Sequence, residues 1–533
     1  MQNEIKTEFR GAGMNAKTIV LVAALLLAVF LIPFFSAQNF SPSADEITHL
    51  PSGYSYWKTG EIILNPQHPP LVKLLSSFPL LFLNLKFDKN DPNLTGPSRN
   101  EWQFGHNFLF TNDADKLLLL GRIAPILISV LLGLYIFKWA SELFSHKAGI
   151  LSLFLYAFMP NIIAHAQFVA TDLAVAAFSF IALYYLWKLF KTGNKKFIVY
   201  TGISLGLALG SKFSGALLVP ITAFLLLVYM WKGEGNNVFK IKKFLKYLVL
   251  IGVIGFLMLY IIYLFPHNPD FYLKGLRSIY ADIAGNFYYY LNGNFSKDGW
   301  WYYFIFAFLI KTPIPALIAF ALAIFAYRKY KLAGFEKQLI FLPVIVFLLV
   351  TSFKAHDIGV RYILPIYPFL ILYAGGLTEL NLNLNRKVVL ILAAGLGVWY
   401  VFSAIRIYPD YLAYFNEFVG GPANGYKYLD DSNVEWGQDL KRLRAYQIQH
   451  PETKVLFSWR KSDLDYYGVE NDLFSSGIKK RWLLNPSGRY AVNTHFLIRS
   501  RLEGSMTPDK YVDWLGLYRP VDRIGYSFFI YEF

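Results

Sequence analysis

Residues 170–188, Ala-Thr-Asp-Leu-Ala-Val-Ala-Ala-Phe-Ser-Phe-Ile-Ala-Leu-Tyr-Tyr-Leu-Trp-Lys, hold the pattern that decides the fold. A polar pair, Thr171-Asp172, opens an apolar run that ends on Lys188, with Lys191, Lys195 and Lys196 close behind. The run is near the roughly 20 residues that cross a bilayer, and its basic end marks a cytoplasmic side. Similar runs recur along all but the last quarter of the chain. About eleven spans are predicted on that length criterion, at 17–36, 117–138, 148–164, 170–188, 197–211, 213–231, 245–265, 301–327, 338–353, 360–379 and 387–405. The fifth and sixth are separated only by Gly210, Ser211 and Lys212, so a re-entrant pair or one broken helix also fits.

Composition agrees with that reading. Of 533 residues, 55% are hydrophobic, 18% aromatic and only 16% charged, more apolar than one soluble core requires. The net charge of +16 comes from short basic runs between apolar segments. That pattern sets membrane orientation and argues against nucleic acid as a partner. Basic residues cluster in alternate loops, at Lys188–Lys196, Lys232–Lys246, Arg328–Lys337 and Arg386-Lys387. The amino terminus is therefore predicted inside and the carboxyl terminus outside, in an integral cell-membrane protein. Lys17 before the first apolar run and Phe35-Ser36-Ala37 after it make a weak signal-peptide pattern. The length of the run favours a retained anchor. No cysteine is present, so disulfides, thiolate nucleophiles and zinc-thiolate sites are excluded.

Two parts follow from this organisation. Residues 1–405 form a membrane domain, with a first external loop at 37–116 and a second at 266–300. Residues 406–533 form a small extracytoplasmic α/β domain with strand-like runs at 454–459, 490–498 and 528–533. Leu71–Leu83 is too short to span and suits an interfacial helix. The aromatic stretches Asn286–Tyr290 and Trp300–Tyr303 suit a membrane-edge belt, with sugar stacking as the sharper alternative.

Ionisable groups beside apolar spans are costly, and so mark function. Asp45-Glu46, Thr171-Asp172, and His356-Asp357 with Arg361 all fall on the predicted external side. Each has a structural alternative. Ser43-Ala44-Asp45-Glu46 fits a capping box, and Asp172 can stabilise a helix start. Arg122 can snorkel to the interface, and Lys212 can mark a short loop. His68 can hold its loop, and His356 can pair with Asp357. Asp430, Asp431, Glu435 and Asp439 look like a metal site, but Ser432–Glu435 fits another capping box.

Beyond these groups, a series of motifs resembles a known family. Ala44-Asp45-Glu46, Gly53-Tyr54-Ser55-Tyr56, Lys58-Thr59-Gly60 and Leu64-Asn65-Pro66-Gln67-His68-Pro69-Pro70-Leu71 look like the first external loop of bacterial polyprenyl-phosphate-sugar-dependent glycosyltransferases. These are relatives of protein O-mannosyltransferases and aminoarabinose transferases. Thr171-Asp172, Gly299–Tyr303, Lys311-Thr312-Pro313, Arg361-Tyr362-Ile363-Leu364-Pro365, Tyr408–Leu412, Tyr414–Asn416, Asp431–Asn433 and Trp436–Asp439 extend the resemblance over nearly the whole chain.

The resemblance implies a GT-C-type helical bundle, with interfacial helices in the first external loop and a sugar transferred on the extracytoplasmic face. The donor would be a polyprenyl-phosphate-linked hexose or pentose, with undecaprenyl phosphate as the bacterial carrier. The acceptor would be a hydroxyl on a protein, glycan or lipid of the cell envelope, and the expected stereochemistry is inversion.

Such a transfer needs a carboxylate base and cations for the departing phosphate. Asp45 is the expected base, with Glu46 and Asp172 as further catalytic candidates. Arg361, Lys212, His356 and Arg122 are the phosphate candidates, and His68, Tyr54 and Trp300 the acceptor or sugar candidates. No obligatory metal is expected, although Asp45, Asp172 and Asp357 could share a divalent cation. With no Walker or Rossmann glycine motif, a nucleotide-driven activity is poorly supported. A flippase or transporter of lipid-linked sugar is the alternative function, and a purely structural or adhesive membrane protein a third.

Overall fold

Prolines decide where the apolar runs break. In the computed structural model, which describes residues 14–96, 99–231, 237–283, 287–381, 385–456, 461–471, 487–506 and 517–533, two expected spans are bent pairs. His146–Ala157 meets Pro160–Ala166 at 64°, and Tyr303–Lys311 meets Ile314–Phe325 at 116°. A proline has no N–H to give and pushes its predecessor out of helical backbone. Accordingly Met159, before Pro160, and Thr312, before Pro313, are both extended.

Eight other helical segments among the described residues are long and apolar enough to cross a membrane: Ala16–Ala37, Ala114–Leu143, Asp172–Thr192, Phe213–Trp231, Asn237–Ile262, Gly334–Lys354, Val360–Glu379 and Arg386–Arg406. The eleven predicted runs thus correspond to these eight, the two bent pairs, and Lys196–Ser211. At 16 residues that last helix reaches only about 24 Å, short of the roughly 30 Å hydrocarbon core. The chain is a polytopic helical membrane protein.

The spans differ in how deeply they are packed. Asp172–Thr192 is buried over 89% of its apolar window and Val360–Glu379 over 83%, whereas Arg386–Arg406 is buried over 17%. The first two are central, and they carry Asp172 and Arg361. Outer helices instead present side chains such as Leu390, Ile391, Phe325 and Phe256. This arrangement suits a bundle solvated by lipid.

Between the first two spans, α1 (Ala16–Ala37) turns into α2 (Ala44–Thr59). Short helices, among them Leu71–Ser77 and Glu101–Thr111, follow in the segment before the second span. Phe78 and Phe82 project outward there.

Two sequence expectations are corrected outside the bundle, and one segment takes a form the sequence reading did not give it. Part of the stretch read as an aromatic belt belongs to a hairpin, β1 (Tyr289–Leu291) with β2 (Asn294–Ser296). Its turn residues Asn292 and Gly293 both have positive φ, the combination a two-residue hairpin turn demands. Asn286 lies outside the described residues.

In the carboxyl-terminal part, β3 (Lys454–Leu456), β4 (Arg489–Asn493), β5 (Asp522–Ile524) and β6 (Phe528–Glu532) form a sheet of order β3-β4-β6-β5, parallel only between β3 and β4. Residues 457–459 of the first predicted strand lie outside the described residues. The second ends at Asn493, where the chain turns into the helix Thr494–Met506. Finally, no helix opens at Ser432. Asp431 adopts positive φ, Gly437 does so again, and the helix begins only at Leu440.

Candidate functional site

Two carboxylates and two cations from four separate segments meet in pairs. Asp45 lies in the first turn of α2, and Arg361 lies on the 3-10 turn Val360–Ile366. Arg361 Nη1 donates to Asp45 Oδ2 at 2.8 Å. Asp172 starts its own helix, and Lys212 sits in extended backbone where Lys196–Ser211 ends. Lys212 Nζ donates to Asp172 Oδ1 at 2.5 Å.

Tyr362 joins the two pairs. Lys212 Nζ lies 4.2 Å from the centre of its ring and the Arg361 guanidinium carbon 5.6 Å from the same ring. Arg361 also stacks at 4.4 Å on Trp436. Its Nε is buried with no hydrogen-bond partner, so the guanidinium keeps donor capacity.

Asp45 is one-fifth exposed at its side chain, whereas Asp172 is almost fully enclosed. Burial acts to raise the Asp45 carboxyl. The neighbouring charge of Arg361, its hydrogen bond to the carboxylate, and the charge of Lys212 outweigh burial and hold it below the usual carboxylate range. Asp45 is therefore an anion at neutral pH.

Its neighbour in sequence has a different environment. Glu46 is wholly buried and accepts from Arg122 through both oxygens, at 2.8 and 2.7 Å, from Ser43 N at 2.9 Å and from Val169 N at 3.0 Å. Arg122 gives its other donors to Ala37 O, Phe40 O and Ser41 O. All five guanidinium N–H groups are used, and the carboxylate is saturated. Glu46 and Arg122 together clamp the elbow between α1 and α2. Neither has hydrogen-bonding capacity left for a substrate, which corrects their expected catalytic and phosphate-binding places.

Tyr54 is likewise core. It is 1% exposed and packs on Phe108 and Phe87. Trp300 is half-buried, and its backbone N–H donates to Asp357 Oδ2 at 2.7 Å. Burial raises the Asp357 carboxyl to about 6, with that bond opposing. His356 Nδ1 meets Tyr289 OH at 2.7 Å, so His356 and Asp357 each hold the β1–β2 region.

His68 lies on the turn after Leu64, edge-on to His49 with ring centres 4.9 Å apart. A fully buried amine supports that turn: Lys73 Nζ donates to Asn65 O at 2.7 Å and to Asn65 Oδ1 at 2.9 Å. Sequence reading assigned no role to His49, Tyr362 or Trp436. The spacing of His49, four residues after Asp45 on one helix, was the available signal for it. Lys311, quoted for the resemblance, is a structural tie to Leu412 O and Asn433 O.

The acidic cluster resolves into separate pairs. Asp430 meets His495 at 2.9 Å and Arg499 at 2.8 Å, while Asp439 meets Arg442 at 3.0 Å. Glu435 Oε2 accepts from Gly437 N at 2.9 Å instead of capping Ser432. Among the described residues, no group of three or more His, Asp and Glu is arranged to hold a metal ion.

Comparison with known proteins agrees with the motif resemblance. Residues 109–263 match the family model described as dolichyl-phosphate-mannose-protein mannosyltransferase, a stretch that includes Arg122, Asp172 and Lys212. The chain is similar to ArnT from Cupriavidus metallidurans bound to undecaprenyl phosphate, at 14% identity over 97% of this chain and 98% of that one, with a TM-score of 0.48. It is also similar to the Saccharomyces cerevisiae protein O-mannosyltransferase Pmt1-Pmt2 complex bound to the sugar donor, at 17% identity, 48% and 35% coverage and a TM-score of 0.33. Archaeal oligosaccharyltransferase AglB from Archaeoglobus fulgidus, in complex with an inhibitory peptide and a dolichol-phosphate, matches at 11% identity, 74% and 56% coverage and a TM-score of 0.43. No curated protein matches the chain by sequence. At these identities and TM-scores the structural likenesses carry no residue roles across.

Proposed function

We propose that this protein is a membrane glycosyltransferase that moves a hexose or pentose from a polyprenyl-phosphate donor, undecaprenyl phosphate in a bacterial host, to an acceptor hydroxyl. The observation that carries this reading is the paired arrangement Asp45–Arg361 and Asp172–Lys212, with both cations on the ring of Tyr362. Carboxylates and cations placed together supply a base and a phosphate cradle in one low-dielectric site.

In this scheme the donor phosphate draws the fork of Arg361 and the point charge of Lys212. Asp45, released from its partner, takes the proton of the acceptor hydroxyl as that oxygen attacks the anomeric carbon. The bond from the anomeric carbon to the phosphate oxygen breaks, and its electron pair leaves on the lipid phosphate. Direct displacement inverts the configuration. Asp172 keeps Lys212 in place, and His68 borders the sugar.

Orientation follows from loop charge: the amino terminus is cytoplasmic, the site faces the other side, and residues 406–533 form the extracytoplasmic domain. The acceptor is a hydroxyl on an envelope protein, glycan or lipid. Transfer of labelled sugar from synthetic polyprenyl-phosphate donors to host membrane extract, by the purified protein, tests this reading. Absence of transfer across hexose and pentose donors contradicts it.

A further inference from the structure

His49 is a buried group for which the transfer scheme has no task. It follows Asp45 by four residues on α2, so one helical turn puts both side chains on the same face. The residue is 0% exposed, and its Nδ1 lies 2.8 Å from Val169 O. A carbonyl can only accept, so Nδ1 carries the proton. In the neutral ring Nε2 is then a bare lone pair, and this buried atom has no hydrogen-bond partner. Buried polar atoms are paired as a rule, so an unpartnered one beside a site is a place for a ligand. The ring facing it edge-on, His68, also keeps a buried Nδ1 without a partner.

The neighbouring cations cannot do what His49 can. Arg361 and Lys212 only donate, and Asp45 is committed to the hydroxyl that reacts. We infer that His49 Nε2, with His68 beside it, is a hydroxyl-binding subsite that accepts a hydrogen bond from a second, non-reacting sugar hydroxyl next to the transfer centre. The inference rests on the transferase reading. That hydroxyl belongs either to the transferred sugar or to a glycan acceptor, and the two cases separate kinetically. A site that accepts from a substrate hydroxyl discriminates strongly against the analogue lacking it.

The competing structural role is the tie from Nδ1 to Val169 O, and two substitutions separate the roles. His49→Asn keeps a donor near the Nδ1 position and gives up the acceptor. His49→Gln puts an acceptor near the Nε2 position and gives up the tie. Each variant is assayed for transfer from labelled polyprenyl-phosphate sugars, for binding of the same donors in detergent, and for thermal unfolding.

The expected result is that His49→Asn unfolds like the unaltered protein but loses about 10- to 100-fold in kcat/KM, the size of one lost hydrogen bond to a substrate. His49→Gln is expected to recover much of that loss. A rise in KM confined to the donor, with weaker donor binding, assigns the hydroxyl to the transferred sugar, and a rise confined to the acceptor assigns it there. Unchanged kinetics in His49→Asn, or loss only in His49→Gln, overturns the subsite and leaves the transferase reading intact. Donor binding without transfer by the unaltered protein overturns the transferase reading, while the binding comparison still tests His49 against the donor. If the unaltered protein neither binds nor transfers, both readings fall.

Discussion

Arg361 donates to Asp45 at 2.8 Å through Nη1 while its Nε stays buried and unpartnered, so the residue that restrains the carboxylate retains capacity for another anion. The pair is thus suited to the exchange the proposed scheme requires, in which a phosphate on Arg361 frees Asp45 as the acceptor arrives. Glu46 and Arg122, adjacent in space, have no such spare capacity.

That contrast predicts opposite outcomes for neighbouring carboxylates. Glu46→Ala leaves the Arg122 charge buried and alone, a loss of about 3–5 kcal/mol in stability. Asp45→Asn, at the more open pair, should unfold within about 1 kcal/mol of the unaltered protein, the range of a partly exposed ion pair, yet abolish transfer. Thermal unfolding in detergent alongside the transfer assay checks both.

The two cations should not be interchangeable. Arg361→Lys keeps the charge but loses the planar fork, and transfer should fall about 100- to 1,000-fold, the scale of removing one preplaced donor to developing charge. Lys212→Arg should be better tolerated than Lys212→Ala, because Lys212 acts as a charge held by Asp172. Steady-state kinetics with one donor distinguishes these outcomes.

The pH dependence of stability should carry a segment from Asp357. Its folded-state value, raised by burial to about 6 from 3.8, means that stability is fully present below the lower value and lost as pH rises through the higher one. Asp357→Asn should flatten the unfolding midpoint across that window. Asp45 has the opposite sign: its lowered carboxyl contributes stability above the unfolded value, lost only as pH falls through the folded one. Transfer should therefore show no acid limb from Asp45 at neutral or mildly acidic pH.

Gly105 tests how the loop between the first two spans seats on α2. A Cβ there would run into the backbone carbonyl of Ile47. Gly105→Ala should cost about 1–3 kcal/mol as an overpacked contact, measured by thermal unfolding, without changing the groups around Arg361.

The spans were legible because apolar runs and lysine-rich loops are local signals, as 170–188 shows. Asp45, Asp172, Lys212 and Arg361 could be picked out as candidates for a related reason, since each is an ionisable group beside such a run, but their meeting in pairs could not. The fate of Arg122 was not, because its partners lie 76 to 85 residues away in sequence. The Ser43–Glu46 cap could be read from spacing, whereas the same spacing at Ser432–Glu435 misled, because Asp431 takes a left-handed backbone that no local pattern announced. Asn292-Gly293 is a hairpin signal that the surrounding tyrosines masked. His49 gave one clue, its spacing from Asp45, but only the unpartnered Nε2 gives that clue meaning.

The most direct test of the central claim is transfer of labelled sugar from polyprenyl-phosphate donors, comparing the purified protein with Asp45→Asn and Arg361→Ala while folding is monitored. The account predicts transfer by the unaltered protein and its loss in both variants with the fold preserved. Undiminished transfer in Asp45→Asn, or movement of donor across proteoliposome membranes with no transfer to any acceptor, contradicts it.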